Sequence, residues 1–267
     1  MTSSKPAKYF ILGSQRSGTT LLGLCLEVHP DVELVEEADT RFHQPYFFTK
    51  RIDLRCVNNY KPDKKRVICF KSPRDSHRVK AIRDEVDSAK ILWMRRSVYE
   101  VVASMLRPRA NVGGTSWASK HAEHELIKYL FEGVYDPVLA KSCRQAASLK
   151  SSREKMVKLA CLCWIAKARC GLLAREYFKH DCYQVDYSQL VVNPKEVMSN
   201  LMLFLDLPWN DRVLRHGEFI SGSRPGGTSP NRAIDSMSLE KWRSELLEGD
   251  LDAIDRLLSQ YPEVDIT

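Results

Sequence analysis

YFILGSQRSGTTLLGLCLEVHP, residues 9–30, decides how the rest of the chain is read. An apolar, β-prone run, KYFILG (8–13), stops at a glycine, as a buried parallel strand does. From Thr19 to about Val28, apolar residues recur at helical spacing (Leu21, Leu22, Leu24, Cys25, Leu26) and end before His29-Pro30. Strand, Gly13-x-x-x-x-Gly18 and helix together put backbone N–H groups and a helix N-terminus around one anion. In the triphosphate version of such a loop, a lysine follows the second glycine and a Ser or Thr holds Mg²⁺. Here Thr19 and Thr20 follow Gly18, and the cation is Arg16, inside the loop. The expected ligand therefore carries fewer phosphates and needs no metal.

Further along, DVELVEE (31–37), RVICFKSP (66–73), AKILWMRR (89–96) and CYQVDYSQL (182–190) read as strands. Helical patterns follow in VYEVVASML (98–106) and in NPKEVMSNLMLFLDL (193–207). Strands alternating with helices predict an α/β fold, a single domain over 1–267 with a central parallel sheet flanked by helices. The pairing order is not readable from this pattern. Between 107 and 155 the strand signal stops, and this stretch reads as an insertion of helices and loops near a binding site. SGSRPGGTSPNRAIDS (221–236) reads as irregular, and LEKWRSELLEGDLDAIDRLL (239–258) as helical.

With a net charge of +7 and 28% charged residues, the chain suits an anionic ligand but lacks the basic excess of a dedicated nucleic-acid binder. No run reaches the roughly 18 apolar residues that span a bilayer, and MTSSKPAK at the start is not a secretory signal. The eight cysteines form no metal-ligand spacing and sit mostly in apolar runs such as LACLCWIAKARC, as reduced thiols do. The expectation is a cytoplasmic protein without metal, nucleic-acid or membrane partner, its oligomeric state left open. His121 and His124, spaced i, i+3, read as a surface pair.

QRSGTTLL resembles the 5′-phosphosulfate loop of the sulfotransferases that use 3′-phosphoadenosine 5′-phosphosulfate (PAPS), in which a Lys or Arg precedes Ser-Gly-Thr-Thr. The match falls on Arg16, Ser17, Gly18, Thr19 and Thr20. ILWMRRSVYEVVASM (91–105) is similar to the family's 3′-phosphate segment, an Arg ending a strand and a Ser eight residues on, here Arg96 and Ser104; Arg95 is the alternative in register. Ser97 is placed to cap the helix between them. QVDYSQLVVNP resembles the stretch whose Tyr lies by the adenine, here Tyr187. PGGTSPNRAIDSMSLEKW resembles the loop that closes over the cofactor, with Ser229 and Arg232 as contacts. These likenesses run from residue 9 to about 243, are nearest to the protein-tyrosine sulfotransferase branch, and thin out over 107–155.

The resemblance implies sulfuryl transfer from PAPS to an acceptor hydroxyl (a phenol or peptide tyrosine, a glycan or a small metabolite), leaving adenosine 3′,5′-bisphosphate. The cytosolic small-molecule branch draws its base from a His two residues after a Lys at the end of its third strand. In CFKSPRD that position is Pro73, so this base is absent. HPDVELVEEADTR resembles instead the segment that carries a glutamate base, which falls on Glu37, with Glu36 as the alternative. If the pair is extended, only one of the two faces the site. Lys71 corresponds to the family's lysine that polarises the transferred group, and Arg16 to the residue that neutralises the 5′-phosphate. Arg41 stands two residues beyond the family's arginine after the Glu pair. The alternatives are a phosphate-loop kinase of a small molecule, disfavoured by the missing lysine, and a nucleotide-binding module without catalysis.

Overall fold

The apolar run at the start of the chain becomes the middle of a parallel sheet. The computed structural model describes residues 6–46, 49–62, 65–108, 113–133, 136–150, 152–222, 229–231 and 233–264. In chain order the described strands are β1 (Ala7–Gly13), β2 (Val32–Val35), β3 (His43–Tyr46), β4 (Thr49–Ile52), β5 (Val67–Lys71), β6 (Ala89–Arg95) and β7 (Cys182–Asp186). The helices are α1 (Thr19–Glu27), α2 (Leu54–Asn59), α3 (Val79–Glu85), α4 (Val98–Leu106), α5 (Trp117–Glu132), α6 (Pro137–Ser148), α7 (Arg153–Phe178), α8 (Tyr187–Val192), α9 (Pro194–Phe204), α10 (Trp242–Glu245) and α11 (Glu248–Leu258).

Five strands pair in parallel in the order β2-β5-β1-β6-β7, and β3 and β4 form a separate antiparallel hairpin. Alternation along each strand divides the core in two. Phe10, Leu12, Ile68, Phe70, Ile91 and Trp93 face a layer built from α3, α4, α5, α6, α7 and α11. Tyr9, Ile11, Val67, Cys69, Leu92 and Met94 face α1, α8 and α9. Because both faces are covered, the strands read as unbroken apolar runs.

The strand order also fixes where a ligand goes. From β1 the chain turns toward β2 and β5; from β6 it turns the other way, toward β7. Adjacent strands with diverging connections leave a crevice beyond their carboxyl ends, where open α/β sheets bind ligands. That crevice lies between the ends of β1 and β6, which pair from Lys8↔Ala89 to Gly13↔Met94.

Several sequence expectations are corrected. The strand expected at 182–190 ends at Asp186, and Asp186 caps α8 by accepting a hydrogen bond from the Gln189 N–H, so Tyr187 opens a helix. The strand expected over 31–37 stops at Val35, and Glu36 starts a turn closed by the Asp39 N–H on the Glu36 carbonyl. Ser97 occupies the N-cap of α4 without a side-chain cap bond. The helical tail is split into α10 and α11. Within 107–155, α5 and α6 contribute Ala122, Leu126, Leu139 and Cys143 to the same core as the sheet. No helix among the described residues is long and apolar enough to cross a membrane, and the eight cysteines are free thiols, six of them buried.

Candidate active site

The loop between β1 and α1 is shaped by three positive φ angles, at Gly13 (143°), Arg16 (72°) and Gly18 (103°). Side chains rarely tolerate that region, and Gly18 has a second reason to be glycine. A Cβ on Gly18 would sit 2.4 Å from Cδ2 of Tyr187. Ser17, almost wholly buried, donates its hydroxyl to the Ser14 carbonyl at 2.6 Å and so closes the loop on itself. Gln15 ties the loop to α5, with Nε2 2.8 Å from Oε2 of the buried Glu125. Burial alone would raise the Glu125 carboxyl, but Lys128 and Lys167 outweigh it and hold the group below the usual range.

Beside this loop opens a cavity of about 290 Å³. Arg16 and Gly18 line it from the loop, Thr19 and Thr20 from the first turn of α1, Arg96 from just after β6, Ser104 from α4, Tyr187 from α8, and Ser229 from the late segment. Eight of the ten residues expected around the cofactor, far apart in the chain, thus line one cavity. The two arginines are coupled directly: Arg96 Nη1 donates to the Arg16 carbonyl at 3.0 Å, and Arg16 Nε donates to Ser104 Oγ at 3.3 Å. The Arg96 guanidinium lies 3.9 Å over the Tyr187 ring, a cation–π contact that fixes its plane. The Tyr187 hydroxyl in turn meets Ser238 Oγ at 2.7 Å. Arg95 does not line this cavity; it borders only a smaller one beside Trp93 and Gln184, which Arg96 also borders, so Arg96 is the better match in register.

Sequence reasoning missed six further polar or aromatic lining residues: Glu100, Arg107, Asp235, Ser238, Lys241 and Trp242. Glu100 was findable, since it stands four residues before Ser104 on one face of α4 and four after Arg96, which precedes the helix. Lys241 and Trp242 come from a segment that only tertiary packing brings here, where Trp242 stacks on Tyr99 at 5.1 Å. Arg232 lies outside the described residues. Ser17 is present in the loop, but its hydroxyl is donated to the Ser14 carbonyl and it does not line this cavity.

Lys71 and the glutamate pair form a second cluster at the carboxyl end of β5. Lys71 is 1% exposed, with Nζ 2.8 Å from Glu36 Oε2 and 3.2 Å from Glu37 Oε1. Both carboxylates therefore reach the same ammonium, because Glu36 and Glu37 follow the strand and lie in a turn rather than on opposite faces of an extended segment. Burial pulls the Lys71 ammonium toward a lower pKa, but Glu37 and Glu36 together leave it raised above the ordinary lysine value. Glu37 is gripped a second time, by Arg74 Nε at 3.2 Å from Oε2. Glu36 Oε1 is buried without a hydrogen-bond partner. Arg41 faces elsewhere: it pairs with Asp39 at 2.7 Å and lies against Phe42 and Tyr60. Thus the guanidinium against Glu37 comes from Arg74, just beyond β5. His121, half-buried and tilted on Trp117 at 5.9 Å, is held below the usual histidine range by burial and by Arg74 and Lys120.

Among the described residues the cavity presents Arg16, Arg96, Arg107 and Lys241 against two carboxylates, Glu100 and Asp235. Arg96 Nε is buried without a hydrogen-bond partner, which suits a site that takes an anion. Cations, two threonine hydroxyls and the N-terminus of α1 converge on the crevice, while an aromatic face stands at its edge.

Comparison with known proteins gives the chain a family. The family model described as "Sulfotransferase family" matches residues 37–211, more than half of the chain. The chain is 29% identical over 261 residues to a protein-tyrosine sulfotransferase of Drosophila melanogaster, covering 89% of this chain and 47% of that protein. It is 29% identical over 236 residues to protein-tyrosine sulfotransferase 1 of Danio rerio, covering 82% and 58%. The chain thus spans about half the length of the curated relatives it matches. In fold it is similar to the sulfotransferase domain from the curacin biosynthetic pathway (TM-score 0.59, 16% identity, covering 96% of this chain and 99% of that one). It is also similar to mouse sulfotransferase SULT7A1 complexed with PAP (TM-score 0.51, 15% identity, covering 96% and 85%). With the loop, the paired arginines and the parallel sheet in place, the family match leads to one conclusion: the chain belongs to the sulfotransferase family.

Proposed function

We propose that this chain transfers the sulfuryl group of PAPS to an acceptor hydroxyl and releases adenosine 3′,5′-bisphosphate, with a tyrosine hydroxyl as the first acceptor to test. The observation that carries the reading is the direct coupling of Arg16 to Arg96 and Ser104 at the crevice between β1 and β6. Two cationic sites on one short path suit a nucleotide with phosphates at both ends. Arg16, Thr19, Thr20 and the N-terminus of α1 would hold the 5′ end, and Arg96 and Ser104 the 3′-phosphate, with Tyr187 beside the base. The choice of a tyrosine hydroxyl is supported by the names of the relatives, which are protein-tyrosine sulfotransferases.

In sulfuryl transfer the acceptor oxygen forms a new S–O bond as the bond to the 5′-phosphate oxygen breaks, and the acceptor proton leaves to a base. No covalent enzyme intermediate is needed, so positioning and charge stabilisation carry the rate. Glu37 is proposed to take the proton, with Glu36 as its alternate. Lys71 would stabilise charge on the transferred group and the bridging oxygen, and Arg16 would neutralise the leaving phosphate. The test is transfer of label from ³⁵S-PAPS to a tyrosine-containing peptide, with ATP as the competing donor. Labelled peptide tyrosine and no phosphorylation are expected. Phosphoryl transfer from ATP without sulfuryl transfer would overturn the reading in favour of a kinase.

A further inference from the structure

Glu100 is an odd tenant of a cavity built for phosphate. Glu100 and Ser104 share one face of α4 and Arg96 stands just before its N-cap, all three on the cavity wall, so the carboxyl neighbours both groups proposed to hold the 3′-phosphate. It is 7% exposed. Its Oε1 lies 3.6 Å from Arg96 Nη2, too far for a good hydrogen bond, and has no other partner. A carboxylate there would repel the phosphate that its neighbours attract.

Resting on the donor site proposed above, we infer that Glu100 is a ligand of the 3′-phosphate in its neutral form: binding takes up one proton, and the carboxylic acid donates a hydrogen bond to a phosphate oxygen. The surroundings favour this. Burial raises the Glu100 carboxyl above the usual range; Arg96 opposes the rise, and Asp186 at the end of β7 and Glu240 before α10 add to it. Of the other charged groups on the cavity wall, Arg16 comes from the loop, Asp235 and Lys241 from the late segment, and Arg107 from the end of α4. Arg107 is already held by Glu245, with Nη2 2.6 Å and 2.7 Å from the two carboxylate oxygens. No cation among the described residues lies within hydrogen-bond distance of Glu100 Oε1, so a proton is the simplest way to match it to an incoming dianion.

The experiment is calorimetric titration of the chain with adenosine 3′,5′-bisphosphate from pH 6 to 8, in buffers of different ionisation enthalpy. Expected are a proton uptake by the wild type that exceeds that of Glu100→Gln by up to about one proton, and a wild-type affinity that falls relative to the variant's as pH rises, by up to about tenfold per unit. Glu100→Gln keeps a donor and loses the charge; at pH 8 it should bind about tenfold or more tightly than the wild type. The phosphate's own second ionisation, near pH 6, is common to both proteins and cancels in the comparison. AMP, which lacks the 3′-phosphate, should bind both proteins alike and without this uptake. Weaker binding by Glu100→Gln at every pH, or the same proton uptake by both proteins, would overturn the inference and leave Glu100 as a group that only orients Arg96. A wild type that binds no bisphosphate at any pH would overturn the donor assignment, and this inference with it.

Discussion

Lys71→Met removes the ammonium that sits between Glu36 and Glu37 and keeps nearly the same side-chain length. Taken singly, the contacts at 2.8 Å and 3.2 Å are worth about 6 and about 5 kcal/mol at an effective dielectric of about 20. Mutual repulsion of the glutamates and the burial of all three charges offset most of this. Losing one partner of such a buried group costs about 3–5 kcal/mol. At about 2 °C per kcal/mol for a chain of this size, the melting temperature should fall by about 6–10 °C in scanning calorimetry. Transfer from labelled PAPS should fall by about 10²–10³-fold, as when one preorganised donor to the developing charge is removed. The double variant Lys71→Met, Glu36→Gln leaves Glu37 paired with Arg74 and should regain about half of the lost stability without regaining activity. A single variant that melts within about 2 °C of the wild type would refute the ion-pair reasoning. One that keeps its activity within about tenfold would refute the role proposed for Lys71.

Glu37→Gln should lower kcat by about 10²–10⁴-fold with bisphosphate affinity unchanged, because neither glutamate lines the nucleotide cavity; a larger fall in Glu36→Gln than in Glu37→Gln would move the base to Glu36. Gly18→Ala forces a side chain into a φ of 103° and a Cβ to 2.4 Å from Tyr187. The strain of about 1–2 kcal/mol plus the displaced ring should weaken bisphosphate binding at least about tenfold by calorimetry, and unchanged affinity would contradict the loop geometry. Because the Lys71 ammonium is raised above its ordinary 10.5, its stabilisation is complete below that value and is lost only as pH rises through the higher folded value. The stability gap between wild type and Lys71→Met should therefore be flat from pH 6 to 9 in denaturant titrations; a gap that closes within that range would show that the ammonium titrates there.

Some of this was legible because it is local. A strand–glycine–helix junction is a property of about a dozen neighbouring residues, and Arg96 and Ser104 belong to one short strand-to-helix segment. Glu100 belongs to the same segment and could have been read with them. Lys241 and Trp242 could not, since what brings them to Arg16 is the packing of a late segment on α4. Arg74 was likewise out of reach: its contact with Glu37 depends on the pairing of β2 with β5, which sets the turn after one strand beside the turn after the other.

By itself the sequence determined the apolar strands, the anion-binding loop and the absence of a lysine after Gly18, because spacing and residue type dictate these through local geometry. Only the tertiary structure decided the strand order, and with it the crevice between β1 and β6 where Arg16 and Arg96 meet. It also decided that Glu36 and Glu37 share one lysine. Alternation separates neighbouring side chains only while the chain is extended, and here the strand ends at Val35, one residue before the pair begins.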